Sequence, residues 1–152
     1  MEKSIRRNSR NINQMSLSRT EILNRFDEWV MAWNAHNLGG VMGWMHDDIL
    51  FENWDGSVIS GKHALEKTWA IWFRRRDFKF IQEDVFIDEI QQKIMFSWQL
   101  VWPSIEKKYA GKNELRRGVD LMQLMDGQIL KKITYSKTSI LIDSSLVNLL
   151  AC

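Results

Sequence analysis

The sequence predicts an α+β fold, with three helices in the N-terminal half packed on one face of a curved, mostly antiparallel sheet. Three observations carry this reading. Apolar residues recur at helical spacing in several runs between residues 19 and 75. After Phe78 the period changes to two and holds through four long runs. Asp126-Gly127, between the last two of those runs, is a strong hairpin signal, because a type I′ turn needs positive φ at both central positions. The length, 152 residues, suits one domain with a real core.

Composition narrows the class. A hydrophobic fraction of 45% with 26% charged residues excludes disorder throughout, and no apolar stretch reaches the length of a membrane span. A net charge of only +2 gives no strong pull towards nucleic acid. Neither nucleic acid nor membrane is expected as a partner. The one cysteine, Cys152, leaves no internal disulfide and no cysteine metal cluster. That usage suits a reducing cytosol, so a cytoplasmic location is expected. Eight Trp against two Tyr is the unusual entry.

The elements follow in order. Residues 1–17 carry Lys3, Arg6, Arg7 and Arg10 against Glu2, are rich in Ser and Asn, and have no apolar core of a secretory signal. They read as a flexible basic tail. Ser18 with Glu21 forms a capping box that starts a helix to about Ala35, placing Ile22, Phe26, Trp29, Val30 and Trp33 on one face. Residues 38–45 read as a second helix weakened by Gly39, Gly40 and Gly43, with His46-Asp47-Asp48 at its end. Residues 49–54 read as a strand closed by a turn at Asp55-Gly56. Residues 62–75 read as a third helix whose terminal Arg74-Arg75-Arg76 complements the helix dipole. Residues 78–88, 92–102, 115–125 and 128–137 are the four long strands. The apolar segment 138–152 offers Ser144 or Ser145 as the N-cap of a last short helix.

A curved sheet has a concave face, and what the helices leave uncovered there is a pocket. Asp120 shares one side of its strand with Met122 and Leu124, in a run that is mainly apolar on both faces. A lone carboxylate there is costly unless paired, hydrogen-bonded or protonated. Kept protonated, it can serve as a general acid or base near neutral pH; the structural alternative is pairing with Arg117 or Lys132. Asn53, Asp55, His46 and Asp47 cluster about the first strand. Asn53 and Asp55 lie on the side of Phe51, although Asp55 equally suits the turn before Gly56. Trp29, Trp33, Trp98 and Trp102 are the indoles placed nearest the cavity; the structural alternative is core packing. His36 and His63 read as surface residues. No His, Asp or Glu set has metal-ligand spacing, and the sequence has neither a phosphate-binding glycine loop nor a nucleophile elbow.

Three stretches carry a family resemblance: AWNAHNLGGVMGWMHDDILFENWDG, GKHALEKTW and RRGVDLMQLMDGQILKKITYSK. Over residues 18–137 the chain resembles the SnoaL-like polyketide cyclase group of the nuclear transport factor 2-like superfamily, with ketosteroid isomerase and limonene epoxide hydrolase as relatives. The resemblance implies a cone-shaped half shell around a deep apolar pocket, commonly dimeric through the sheet. In ketosteroid isomerase terms, the general-base Asp falls on Asn53, the oxyanion-hole Tyr near Trp29, and the Asp that donates a hydrogen bond on Asp120. In limonene epoxide hydrolase terms, Asn53 matches the water-positioning Asn, while its Tyr partner is Phe51 and a later Asp falls near Thr134. The resembled cyclases rely on one Asp in a hydrophobic pocket. Asp120 fits it, with polar help from His46, Asn53, Asp55 or Gln99.

The expected function is binding of a small hydrophobic, carbonyl-containing molecule in a Trp-lined pocket, with cyclisation or isomerisation by acid/base chemistry without metal or organic cofactor. Asp120 and Asn53 are the expected catalytic residues. Trp29, Trp33, His46, Phe51, Asp55, Trp98, Trp102 and Met122 are the expected substrate-binding residues. A homodimer through the sheet is the expected assembly. The alternative is a non-catalytic ligand-binding or dimerisation module of the same fold.

Overall fold

Ser18 accepts a hydrogen bond from the Glu21 amide, and the Glu21 carboxylate accepts one in return from the Ser18 amide, 2.8 Å away. This reciprocal cap opens helix α1 (Arg19–Asn34), which buries Ile22, Phe26, Trp29 and Trp33 along one face. The computed structural model describes residues 14–75 and 77–150. The tail expected over residues 1–17 therefore lies mostly outside the described residues. Its last part is docked, not loose: Leu17 is buried, its amide donates to Gln92 Oε1 and its carbonyl accepts from Gln92 Nε2, each at 2.8 Å.

Helix α2 (Leu38–Met42) is shorter than expected, because strand β1 (Met45–Glu52) begins where the helix was expected to continue. Met45 pairs with Ile129, and the Ile129 amide donates to the Trp44 carbonyl at 2.8 Å, so the chain is drawn into the sheet before it can turn again. His46-Asp47-Asp48 is consequently part of a strand, not a helix end. A short strand not foreseen, β2 (Val58–Ser60), folds back on β1, and α3 (Lys62–Phe73) follows, burying Leu65, Trp69 and Phe73.

The long strands are β3 (Lys79–Asp88), β4 (Lys93–Pro103), β5 (Asn113–Met125) and β6 (Gln128–Ser136). Asp126 (φ 50°) and Gly127 (φ 73°) make the left-handed turn between β5 and β6 that the sequence predicts. The main path of the sheet runs β2-β1-β6-β5-β4-β3; its pairs are antiparallel except β1 with β6. Residues 138–150 form no helix. They make a hairpin, β7 (Ser139–Ile142) and β8 (Ser145–Asn148), with β7 added to β5. Asp143 and Ser144 both take positive φ and close it, so neither Ser144 nor Ser145 caps a helix. The alternation that buries Ile140 and Ile142 explains why.

The strand pairing is irregular in three places, one of them between Met45 and Leu50 where β1 meets β6. Pairing of β3 with β4 slips one residue between Gln82 and Val85, and pairing of β5 with β6 slips one residue at Leu130. Gly118 permits a close approach. A Cβ there would overlap the Trp98 ring and the Tyr135 carbonyl, so only glycine lets that indole lie flat across β5. The core fills the space between helices and concave face with aromatic rings in edge-to-face and tilted contacts. Phe26 meets Phe96 at 4.8 Å, Trp33 meets Trp69 at 4.9 Å, and Trp72 meets Trp102 at 4.7 Å between ring centroids.

Candidate functional site: a charged pair in an aromatic cavity

Between α1, α3, the turn after β1 and the concave face of β3–β6 lies a cavity of about 100 Å³. Its deep walls are Trp29, Trp33, Phe51, Trp69, Phe96 and Trp98. Ser57 and Thr68 are exposed members of the lining, and Asn53, Trp54 and Trp72 are half-buried; these five mark the mouth.

The polar floor comes from two neighbouring strands. Asp120 on β5 stands opposite Thr134 on β6, and Lys132 lies two residues before Thr134 on the same face. Lys132 Nζ donates to Asp120 Oδ2 at 2.6 Å and to Thr134 Oγ1 at 2.7 Å. It also sits 5.0 Å from the Phe51 ring centroid, within cation–π range. Trp98 Nε1 donates to the other carboxylate oxygen, Asp120 Oδ1, at 3.0 Å. Asp120, Lys132 and Thr134 are 4–5% exposed, so this is an ion pair out of water. Such a pair persists only where further hydrogen bonds hold both charges, and Trp98 and Thr134 supply them.

Opposite the sheet, α1 contributes two indoles one helical turn apart. Trp29 and Trp33 are 4% and 7% exposed, and Nε1 of each is buried without a hydrogen-bond partner. Unpaired buried donors are uncommon, and each needs a reason. Both lie on one helix face, in side chains that line the cavity.

A second buried charge cluster lies beside the cavity. Glu114, fully buried, accepts from Trp102 Nε1 (2.9 Å), Ser104 Oγ (2.5 Å) and Arg116 Nε (2.7 Å). Arg116 also donates to Glu106 at 2.6 Å and lays its guanidinium 5.1 Å from the Trp54 ring centroid. The cluster is internally satisfied and braces the indole at the cavity mouth.

Of the ten residues singled out from sequence, six line the cavity: Asp120, Asn53, Trp29, Trp33, Phe51 and Trp98. Four do not. His46 is on β1 outside the cavity, and its Nδ1 accepts from the Asp48 amide at 3.0 Å. Asp55 is exposed in the turn after β1. Its carboxylate is held below the usual aspartate range by the Ser57 hydroxyl at 2.6 Å and then by the Ser57 amide at 2.9 Å. Trp102 packs on Trp72 and Glu114, beyond the cavity wall, and Met122 is buried two residues past Asp120. Gln99 donates to Glu83 away from the cavity lining, at 2.7 Å. Asn53 is the first residue after β1, where its amide and carbonyl close the turn to Ser57 and Gly56. Asp120 has the Lys132 partner considered from sequence, not Arg117, which pairs with Glu83. Sequence reasoning passed over Trp69, Trp72, Phe80, Phe96 and Gln82 as lining residues. The helical period of Trp69 and Trp72 with Leu65 was the available signal for two of them.

Among the described residues no group of three His, Cys, Asp or Glu side chains is placed to hold a metal ion, and no helix is long and apolar enough to cross a membrane.

A family model described as SnoaL-like domain matches residues 26–132. No curated protein matches the sequence. Several solved structures share the fold. A nuclear transport factor 2-like protein of unknown function from Mesorhizobium loti superposes with a TM-score of 0.64 at 18% identity, over 81% of this chain and 97% of its own. A Mycobacterium tuberculosis protein, solved in complex with estradiol-17beta-hemisuccinate, gives 0.63 at 22% identity over 76% and 92% of the two chains. SalBIII, an epoxide hydrolase/cyclase-like enzyme in pyran ring formation in the polyether salinomycin, gives 0.68 at 9% identity over 79% and 93%. At such identities the likeness speaks for the fold alone.

Proposed function

This chain belongs to the SnoaL-like domain family, and from that premise we propose that its cavity binds a small hydrophobic molecule carrying a carbonyl oxygen, and that Asp120 moves a proton on it. What supports this reading is that the Asp120–Lys132 pair on the sheet and the Trp29 and Trp33 indoles on α1, whose N–H donors are unpartnered, line the same cavity. Asp120, as carboxylate, takes a proton from the carbon next to the carbonyl. Charge then develops on the carbonyl oxygen, where Trp29 or Trp33 donates to it. Lys132 Nζ and the Trp98 N–H fix the orientation of the Asp120 carboxyl group. The proton returns from Asp120 at a different carbon for isomerisation; for cyclisation the carbanion attacks a second carbonyl, whose C–O π bond breaks and whose oxygen takes the proton back from Asp120. Asn53 at the mouth offers a further amide to the substrate.

The cavity volume limits the substrate. About 100 Å³ lies below the roughly 150 Å³ that admits a benzene ring, so a single ring fits only with a small shift of Trp54 or Trp72. The relatives solved with a steroid ester, or acting in pyran ring formation, support the chemical class, not the size.

A second reading, a ligand-binding or dimerisation module without turnover, is favoured by one observation: both oxygens of Asp120 already accept a hydrogen bond. Either reading includes a homodimer through the outer face of the sheet, where Phe86, Met95, Leu121 and Tyr135 are 39–59% exposed. Hydrogen–deuterium exchange at the α-carbon of cyclohexanone, followed by NMR in D₂O, separates the two. Acceleration by the wild type and its loss in Asp120→Asn supports catalysis. Binding without exchange, or exchange undiminished in Asp120→Asn, removes Asp120 from any mechanism.

A further inference from the structure

We propose that Lys132 is a covalent site: its ε-amine condenses with an aldehyde or ketone held in the cavity, forming an imine. This rests on the carbonyl-ligand reading above, and it assigns the chemistry to a different atom. Lys132 lines the cavity, is 5% exposed, and has a proton acceptor 2.6 Å away in Asp120 Oδ2. Its neighbour Lys131 is exposed and carries none of these features. Lys132 is the amine on the cavity wall, and attack on a carbonyl is chemistry open to a lysine held beside a proton acceptor.

The steps balance through Asp120 alone. A proton passes from the Lys132 ammonium to Asp120 Oδ2, leaving a neutral amine beside a neutral acid. The nitrogen lone pair attacks the carbonyl carbon, the C–O π bond breaks, and the oxygen takes the proton from Asp120. Asp120 then removes a second proton from the nitrogen and delivers it to the hydroxyl, which leaves as water while the C=N bond forms. One ammonium and one carbonyl compound have become one iminium and one water. The Asp120 carboxylate ends beside a cation, as it began, so no step strands a buried charge. The iminium withdraws electrons from the α-carbon, and Asp120 is the nearest base to that carbon's proton. Thr134 Oγ1, 2.7 Å from Nζ, keeps the amine oriented throughout.

The test uses the full chain with benzaldehyde and sodium cyanoborohydride at neutral pH, which reduces an iminium to a stable benzyl amine. Intact mass and peptide mapping read the site, and quenching of Trp fluorescence by benzaldehyde alone reads binding. Lys132 is expected to be benzylated at least about tenfold faster than the exposed Lys131, the advantage of a positioned nucleophile with an adjacent proton acceptor. Lys132→Arg keeps a cation for Asp120 and cannot form an imine, so it is expected to fold, to retain quenching and to lose the fast adduct. Lys132→Met is a second check on the adduct's position. Quenching with adducts only on exposed lysines would overturn the covalent site and leave the binding reading standing. Neither quenching nor a fast adduct would overturn both.

Discussion

Replacing Lys132 by methionine removes the cation and leaves the Asp120 carboxylate buried, with the Trp98 N–H as its remaining donor. At the 2.6 Å separation, Coulomb attraction is about 6 kcal/mol for an effective dielectric of about 20. Desolvation of both ions offsets much of it in the wild type. In the variant the carboxylate is still desolvated and the attraction is gone, so the expected loss is about 3–5 kcal/mol. For a chain of this size that corresponds to a fall in Tm of roughly 6–20 °C. The double variant Asp120→Leu/Lys132→Met removes both charges and is expected within about 1 kcal/mol of the wild type. The assay is urea unfolding at pH 7 followed by Trp fluorescence, for wild type, Lys132→Met, Asp120→Leu and the double variant. The coupling between the two sites should exceed about 2 kcal/mol. Additivity of the single losses to within about 0.5 kcal/mol would refute a formed pair.

Other expectations follow from single features. Gly118→Ala forces the Trp98 ring off β5, and a loss of about 1–3 kcal/mol is expected with a changed near-UV circular dichroism spectrum; unchanged stability would contradict the close approach. The Asp55 carboxyl is depressed by Ser57, so its contribution to the turn after β1 is present above the unfolded value of roughly 3.9 and is lost as pH falls through its lower folded value. The Ser57 amide resonance should therefore titrate in that acid range, and Asp55→Asn should abolish the titration. Leu121→Lys on the outer sheet face should convert a dimer to a monomer in sedimentation velocity; a wild type that is monomeric at tens of micromolar would end the dimer proposal.

Much of this architecture could be read from the sequence because local signals agreed with it. The Ser18–Glu21 cap, the Trp29–Trp33 face and the Asp126-Gly127 turn are each written within a few residues. The misreadings have a common cause in long-range pairing. Met45 joined β1 because it pairs with Ile129 of β6, and His46 to Asp48 follow it through an irregularity before Leu50 rejoins that strand. The C-terminal segment became a hairpin because β5 had an open edge for β7. The site shows the limit most clearly. In an unbroken strand Ile129, Lys131 and Ile133 would share one face, and Lys132 would point away. The bulge at Leu130 puts Ile129, Lys132 and Thr134 inward instead. Asp120 stood out as a carboxylate among apolar residues, but its partner depended on that one extra residue. Likewise, nothing in a helical period tells a paired indole N–H from an unpaired one; the empty acceptor positions of Trp29 and Trp33 emerge only from packing.

The central claim is that the cavity takes a ligand oxygen onto those two indoles. The most direct measurement is a ¹H–¹⁵N titration of the indole N–H signals with cyclohexanone, assigned through Trp29→Phe and Trp33→Phe, with cyclohexane as the matched ring lacking an oxygen. A downfield shift of the Trp29 or Trp33 signal with the ketone and not with the hydrocarbon is expected, while Trp98, already bonded to Asp120, moves little. If the Trp29 and Trp33 signals stay in place while the ketone binds, the indoles do not receive the oxygen and the account of the site is wrong.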